Sequence, residues 1–200
     1  MSNNLKEAIE NRRSYYSISN QSDISDEEII DIVNLAVKHV PSPFNSQSTR
    51  VVVLFGENHK KLWNIVKETL RKKTSTEKFI DTEKKIDTAF ASGHGTVLFF
   101  EDESVVRNLE ESFPLYAETF VSWSLQSSAM NQFAIWVMLE DAGFGASLQH
   151  YNPIIDDEVK KTWNIDPNWK LISQMPFGKP TAYPEEKEFV PLEKRVKIFR

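Results

Sequence analysis

The sequence Val40-Pro-Ser-Pro-Phe-Asn-Ser-Gln-Ser-Thr-Arg-Val-Val-Val-Leu-Phe55 joins a polar loop to an apolar run. The run from Val51 to Phe55 has no polar side chain, and this pattern predicts a strand buried on both faces. In front of it, two prolines disfavour a helix, and short hydrogen-bonding side chains are typical of a loop. Such a loop can hold the edge of a flat polar ligand, or it can simply connect a helix to a strand.

Composition limits the kinds of chemistry that the chain can perform. A length of 200 residues predicts one domain spanning residues 1–200. The sequence has no cysteine, which excludes thiol catalysis, thiolate metal sites and iron–sulfur clusters. Redox chemistry would therefore need a bound cofactor. The net charge of -5 weighs against nucleic-acid and anionic-membrane partners. Without an apolar leader or an 18-residue uncharged run, we expect a cytoplasmic protein.

Periodicity predicts helices interleaved with a few strands, which is typical of an α+β fold with helices around a central sheet. Segment 115–142 is apolar nearly all round, which predicts a buried central helix that can also form a subunit contact. Asn3 and Asn4 can cap the first helix, and Ser25 with Glu28 predicts a capping box. The predicted helices are 3–13, 25–40, 58–70, 79–90, 105–109, 115–142 and 156–163, and the strands are 51–55, 96–100, 146–149, 169–177 and an edge strand at 196–198.

The sequence lacks several familiar catalytic motifs. There is no P-loop, no complete G-x-G-x-x-G, no G-x-S-x-G and no H-E-x-x-H. The four histidines lie too far apart in sequence to indicate a local metal pair, so we predict no metal site.

Three other segments have the chemistry to recognise anions and amides. They are Arg12-Arg13-Ser14 at a helix end, the loop from Pro41 to Gln47, and a turn at Gly143–Gly145 that leads to Gln149-His150-Tyr151. Two guanidinium groups beside a hydroxyl suit a phosphate, because each donates charge-assisted hydrogen bonds. An interaction of the two arginines with the helix dipole is the alternative.

The order of these segments resembles the FMN-dependent nitroreductase family. That family begins with a helix ending in Arg-Arg-Ser/Thr, continues with a Pro-Ser-x-x-Asn-Ser-Gln loop before its first strand, and has a glycine-rich turn after a long central helix. Residues 95–102 and 145–153 are also similar to the subgroup named after the yeast fatty-acid-repression mutant protein.

The resemblance implies a nitroreductase-like α+β fold, with a mostly antiparallel sheet surrounded by helices. It also implies a homodimer with a long central interface helix and two FMN molecules at the interface. The expected activity is transfer of hydride from NADH or NADPH, through flavin N5, to nitroaromatic or quinone-like acceptors by a ping-pong route. A flavin-binding regulatory or stress-response protein with incidental turnover is the alternative, and a small α+β domain that binds no flavin is a third.

The resemblance also assigns roles to residues, with the flavin rather than a side chain performing the catalysis. In the family, the partner chain supplies the loop around Asn45, and the segment after the glycine-rich turn lies at the flavin face, which makes His150 and Tyr151 the side chains nearest to the chemistry. Tyr16 stands where many members have a basic residue, and Lys187 keeps only the first residue of a Lys-x-Arg pair, for which Lys194 or Arg195 are possible substitutes. We expect Phe113, Phe120 and Trp123 to form core or lid. The predicted cofactor-binding residues are Arg12, Arg13, Ser14, Tyr16, Pro41, Ser42, Pro43, Asn45, Gln47, Gln149, His150, Tyr151 and Lys187.

Overall fold

The structure, a computed structural model, describes residues 5–200, with the side chain of Thr76 left aside. The helices are α1 Leu5–Asn11, α2 Asp26–His39, α3 Gly56–Arg71, α4 Thr76–Ala89, α5 Glu103–Ser112, α6 Ala117–Asp141 and α7 Asp156–Trp163. The strands are β1 Ile18–Ser19, β2 Thr49–Phe55, β3 Gly95–Asp102, β4 Gly145–Ala146 and β5 Trp169–Pro180. Short 3-10 turns form at Pro43–Asn45, Pro114–Tyr116 and Leu192–Lys194.

The strands form one antiparallel sheet in the order β1-β5-β3-β2, with β4 also paired to β5. Strand β5 is the longest, and it pairs with β3 along one edge and with β1 and β4 along the other. The mostly antiparallel sheet that the family resemblance implied is therefore confirmed.

Helices cover both faces of the sheet because successive side chains of β3 point in opposite directions. Leu98 and Phe100 face one core, where they pack with α3, α4 and α7. Val97 and Phe99 face the other core, where they pack with α2 and α6. The largest fully buried side chains are Trp63, Phe90, Phe99, Phe100, Phe120 and Phe177.

The helix predictions mostly hold at the residue level. In the capping box, the Ser25 hydroxyl accepts from the Glu28 backbone N–H at 3.2 Å, and the Glu28 carboxylate accepts from the Ser25 N–H at 2.9 Å. Helix α6 lies within the predicted segment 115–142. Helix α3 begins at Gly56 and α4 at Thr76, two or three residues earlier than predicted. The predicted caps Asn3 and Asn4 lie outside the described residues.

Two strand predictions are wrong and two are incomplete. The edge strand predicted at 196–198 is instead an exposed tail, in which Ile198 is 73% exposed. Strand β2 is only partly buried because it lies at the sheet edge, where β3 is its one strand partner within residues 5–200. The predicted strand 146–149 is shorter, with β4 followed by a single bridge at Gln149. The segment 15–24, in which no strand was predicted, contains β1, because Ile18 is buried against the sheet.

Candidate functional site

The segment after α1 places two arginines and a serine at a cavity of about 470 Å³. The Tyr15 N–H donates to the Ala146 carbonyl at 3.0 Å, which holds this segment beside β4. Tyr15 is buried, whereas its neighbour Tyr16 is 50% exposed. The cavity is lined by Arg12, Arg13, Ser14, Tyr16, Pro184, Glu185 and Lys187. The structure thus brings together five of the residues that the sequence selected, from both ends of the chain.

Two residues of helix α6, Trp136 and Glu140, lie next to the Arg12 side chain. The guanidinium carbon of Arg12 lies 4.4 Å from the centroid of the Trp136 ring. Glu140, one helical turn after Trp136, is half-buried, and this burial raises its pKa to about 7, although the charge of Arg12 lowers it. Burial also lowers the pKa of Arg12, which the charge of Glu140 raises. Because Glu140 is partly protonated near neutral pH, it neutralises Arg12 only in part, and the positive charge stays available to an anion.

The C-terminal connection completes the cavity. A guanidinium nitrogen of Arg13 donates to the backbone carbonyl of Glu185, which fixes the chain just before Lys187. The Lys187 ammonium lies 5.2 Å from the centroid of the Phe189 ring. In the part of the chain that the structure describes, neither Arg13 nor Lys187 forms an ion pair. Lys194 and Arg195, the possible substitutes, lie in the exposed tail rather than in the cavity wall.

The segment from Gln149 to Tyr151 is anchored by one buried residue of β5, Gln174. The backbones of Gln149 and Gln174 exchange hydrogen bonds of 2.7 and 2.9 Å. The Gln174 side-chain carbonyl accepts from the Tyr151 N–H at 2.8 Å. The backbone N–H groups of Gln149 and Tyr151 are thus both hydrogen-bonded to Gln174. The N–H of the exposed His150, which lies between them, has no acceptor among residues 5–200. It is therefore free to donate to a ligand.

Two tyrosines connect this segment to the cavity around Arg12. The rings of Tyr16 and Tyr151 each lie 6.3 Å from the ring of Phe90, measured between centroids. Burial raises the pKa of Tyr151, and the charge of Tyr16 adds to the effect. Tyr151 also packs edge-on against Trp63 at 6.0 Å, so its ring belongs to an aromatic wall. The ring of Tyr16, which lines the cavity, and the ring of Tyr151 thus pack against the same buried side chain, Phe90.

The loop after α2 borders a different cavity of about 610 Å³, which Ser42 and Gln47 line together with Asn131 and Trp169. Inside the loop, the Ser42 hydroxyl accepts from the Gln47 N–H at 2.9 Å, and the Gln47 amide donates to the Asn45 carbonyl at 3.3 Å. Pro41, Pro43 and Asn45 belong to the same loop but line neither cavity. Within one chain, the structure therefore separates this loop from Arg12 and Arg13.

A buried carboxylate that is not among the predicted site residues, Glu101, lines a third cavity of about 180 Å³. Both oxygens of Glu101 accept hydrogen bonds of 2.6 Å, one from Ser48 and one from Thr49. Burial raises the pKa of Glu101 despite these two donors. The next residue, Asp102, pairs with Arg50 at 3.0 Å. The signal in the sequence was two acidic residues directly after the apolar run 96–100.

Gln174, Trp136 and Glu140 also escaped the sequence analysis. A polar pair, Ser173-Gln174, interrupts an otherwise apolar stretch of β5, and that interruption could have pointed to Gln174. No pattern along the chain indicates that Trp136 and Glu140 lie next to Arg12, because this proximity arises only when α1 packs on α6.

Residues 5–200 offer neither a metal site nor a membrane-spanning helix. It contains no group of three or more His, Cys, Asp or Glu side chains that could hold a metal ion. None of its helices combines the length and the apolar character needed to cross a membrane.

Comparison with known proteins gives consistent matches over most of the chain. The model of the nitroreductase family matches residues 9–179. Nitroreductase FRM2 of Saccharomyces cerevisiae is 31% identical over 189 residues, covering 94% of this chain and 93% of the yeast protein. The structure of nitroreductase CinD from Lactococcus lactis in complex with chloramphenicol is 40% identical, with a TM-score of 0.86 over 97% of this chain and 98% of that one. CinD has also been solved with 4-nitrophenol.

A more distant structure shares the fold alone. It is a nitroreductase-type protein from Desulfovibrio desulfuricans in complex with FMN, with 16% identity and a TM-score of 0.71, and it covers all of both chains at 100%.

Proposed function

This chain belongs to the nitroreductase family, and on that premise we propose that it is an FMN-dependent enzyme that transfers hydride from NADH or NADPH to nitroaromatic or quinone-like acceptors. Family membership makes it an oxidoreductase with a nitroreductase-like α+β fold. The proposal that FMN is the cofactor rests on one observation: the side chains of Arg12, Arg13, Ser14 and Lys187 all line the same cavity.

The chemistry of these donors fits the phosphate of FMN. Arg12, Arg13 and Lys187 supply positive charge, and Ser14 adds a hydroxyl, so a phosphate dianion would receive several charge-assisted hydrogen bonds. Arg12 packs against the Trp136 ring, and burial raises the pKa of the neighbouring Glu140 to about 7, which weakens the competition of this carboxyl for Arg12. The Desulfovibrio protein, which shares the fold, is in complex with FMN. The positively charged cavity and the FMN complex of a protein with the same fold both support FMN as the cofactor.

The surface next to the phosphate donors would hold the flavin ring. Tyr16 offers a hydroxyl without charge, and the free N–H of His150 is a donor that Gln149 and Tyr151 hold in place from either side. The chemistry supplied by bound FMN is two-electron transfer through N5 in two half-reactions. The task of the chain is then to orient the donor and the acceptor, and no side chain needs to act as a nucleophile.

We further propose that residues 1–200 form a single domain that functions as a homodimer. The loop carrying Pro41, Ser42, Pro43, Asn45 and Gln47 lies away from the Arg12 cavity of its own chain, as expected if it contributes to the site of a partner chain. Helix α6 supports a subunit contact, because its 25 residues include apolar side chains that are 42 to 51% exposed. These are Val121, Leu125, Met130 and Phe133.

For the acceptor, the support comes from the relatives. CinD has been solved with 4-nitrophenol and with chloramphenicol, which are small aromatic molecules. We propose acceptors of this class, or quinone-like ones, for the present chain, and we place it in the cytoplasm without nucleic-acid or membrane partners. NADH and NADPH both remain candidate donors.

Steady-state kinetics test this function. With FMN present, initial rates measured while varying NADH or NADPH at several concentrations of 4-nitrophenol or a quinone should give parallel double-reciprocal lines, because donor and acceptor react in separate steps. Intersecting lines would contradict the ping-pong route. Tight FMN binding without turnover of any acceptor would instead favour the regulatory role.

Mixed dimers test the shared site. Arg12→Ala should weaken FMN binding by roughly 1.5–3 kcal/mol, the value of a charge-assisted hydrogen bond. Asn45→Ala should weaken it from across the dimer. If each site uses Arg12 of one chain and Asn45 of the other, a mixed dimer contains one intact site and one doubly altered site, whereas the parent variants contain none intact. Absence of any restored site in the mixed dimer would refute the sharing.

A further inference from the structure

Phe44 connects the loop 42–47 to the junction between α5 and α6. Its ring centroid lies 4.7 Å from that of Phe113, 5.6 Å from that of Phe120 and 6.2 Å from that of Tyr116. Phe113 directly follows α5, Tyr116 ends the 3-10 turn before α6, and Phe120 lies buried in the first turn of α6. One side of the Phe44 ring is thus packed, while the residue as a whole stays 53% exposed.

The backbone of this loop adopts an unfavourable conformation for its residues. Phe44, Asn45 and Gln47 all have positive φ angles, of 54°, 52° and 50°. Asparagine tolerates the left-handed region, but a bulky residue such as phenylalanine rarely adopts it. Such a conformation persists only where surrounding contacts impose it. Hydrogen bonds restrain this loop, among them the one from the Gln47 N–H to the Ser42 hydroxyl and those from the Asn45 and Ser46 N–H groups to the Ser42 and Pro43 carbonyls. The packing of the Phe44 ring is the contact that restrains it from outside.

We propose that Phe44 is a positioning residue whose ring, anchored on Phe113 and Phe120, holds the loop 42–47 in the shape that presents Ser42 and Asn45 to the cofactor. This rests on the proposed function, in which Ser42 and Asn45 contact the flavin bound by the partner chain. The anchor also joins the loop that is proposed to reach the partner to α6, the helix that we assign to the subunit contact.

Amide hydrogen exchange on the cofactor-free protein tests the anchor directly. Phe113→Ala removes the closest ring without touching the loop, and the matched control Leu115→Ala alters a neighbouring side chain that is 87% exposed. The Gln47 amide should exchange about tenfold faster in Phe113→Ala, as expected from loss of one or two aromatic pairs, and at the wild-type rate in Leu115→Ala. Affinity for FMN should fall about two- to tenfold in Phe113→Ala alone.

Three substitutions of Phe44 separate the ring from the backbone. Phe44→Ala removes the ring and keeps the unfavourable φ, Phe44→Gly removes the ring and relieves the φ, and Phe44→Tyr keeps the ring. Both Phe44→Ala and Phe44→Gly should bind FMN more weakly and exchange faster at Gln47, while Phe44→Tyr should match the wild type. If Phe44→Gly binds FMN as tightly as the wild type, the backbone alone shapes the loop and the proposal is wrong.

The outcomes distinguish failure of the anchor from failure of the proposed function. Normal FMN binding by the wild type, with unchanged exchange at Gln47 in Phe113→Ala, would overturn the anchor alone. A wild-type protein that binds no FMN would overturn the proposed function and, with it, the role of the loop.

Discussion

Replacement of Gln174 by methionine, which has a similar volume, tests how the segment 149–152 is held. Gln174 is fully buried at 0% exposure, and its side-chain carbonyl accepts from the Tyr151 N–H at 2.8 Å. Its amide donates to the Asn152 side chain at the longer distance of 3.4 Å. Methionine fills the space but accepts and donates almost nothing.

The expected cost follows from these two contacts. Loss of the 2.8 Å hydrogen bond removes about 1 kcal/mol, and a Tyr151 N–H left without an acceptor in a partly buried position adds about 1–2 kcal/mol. The 3.4 Å contact adds little because hydrogen bonds weaken at this length. We therefore expect Gln174→Met to lower the free energy of unfolding by about 2–3 kcal/mol.

Urea denaturation measures this change, with Gln21→Met as the matched control because Gln21 is exposed. The control should differ from the wild type by less than about 0.5 kcal/mol. Affinity for FMN should fall in Gln174→Met as well, because the anchored segment carries the free N–H of His150. A Gln174→Met protein as stable as the control would show that Gln174 does not anchor this segment.

Three further changes have expected outcomes. Burial raises the pKa of Glu140 from 4.5 to about 7, so its contribution to stability is present below pH 4.5 and is lost as the pH rises through 7. Unfolding curves from pH 5 to 8 should show this decline, worth about 1 kcal/mol after solvent screening, and Glu140→Gln should remove it. Burial lowers the pKa of His59 from 6.5 to about 4, so its contribution to stability is present above pH 6.5 and is lost as the pH falls through 4. Between these pH values the free energy of unfolding should fall by about 3 kcal/mol on this account, and His59→Gln should reduce its dependence on pH. Ser25→Ala should lower the melting temperature by removing a capping box worth about 1 kcal/mol, and an unchanged melting temperature would show that the cap is not needed.

Much of the fold was predictable because it depends on local sequence patterns. The apolar runs 51–55 and 96–100 became β2 and β3, and the long apolar segment became α6. The family resemblance is confirmed by matches over most of the chain. The tail was mispredicted because an alternation of Val196 and Ile198 over three residues specifies a strand only where another strand is available to pair with it.

The candidate site was predictable where its residues form a short motif in the sequence or match the family pattern. Arg12, Arg13 and Ser14 could be selected as a short motif, and Lys187 by its resemblance to the family pattern. Gln174 and the ring contacts of Phe44 depend on packing between elements that are far apart in the chain. Periodicity contains no information about such contacts, so the supports of the site became visible only in the folded structure.

The central claim, that this chain is an FMN oxidoreductase, is tested most directly by the visible absorption spectrum of the protein incubated with FMN and freed of excess, followed by anaerobic addition of NADH or NADPH. An FMN oxidoreductase should show an oxidised-flavin spectrum that bleaches with at least one nicotinamide and returns on addition of 4-nitrophenol or a quinone. A protein that stays colourless, or a bound flavin that neither nicotinamide reduces, would contradict this claim.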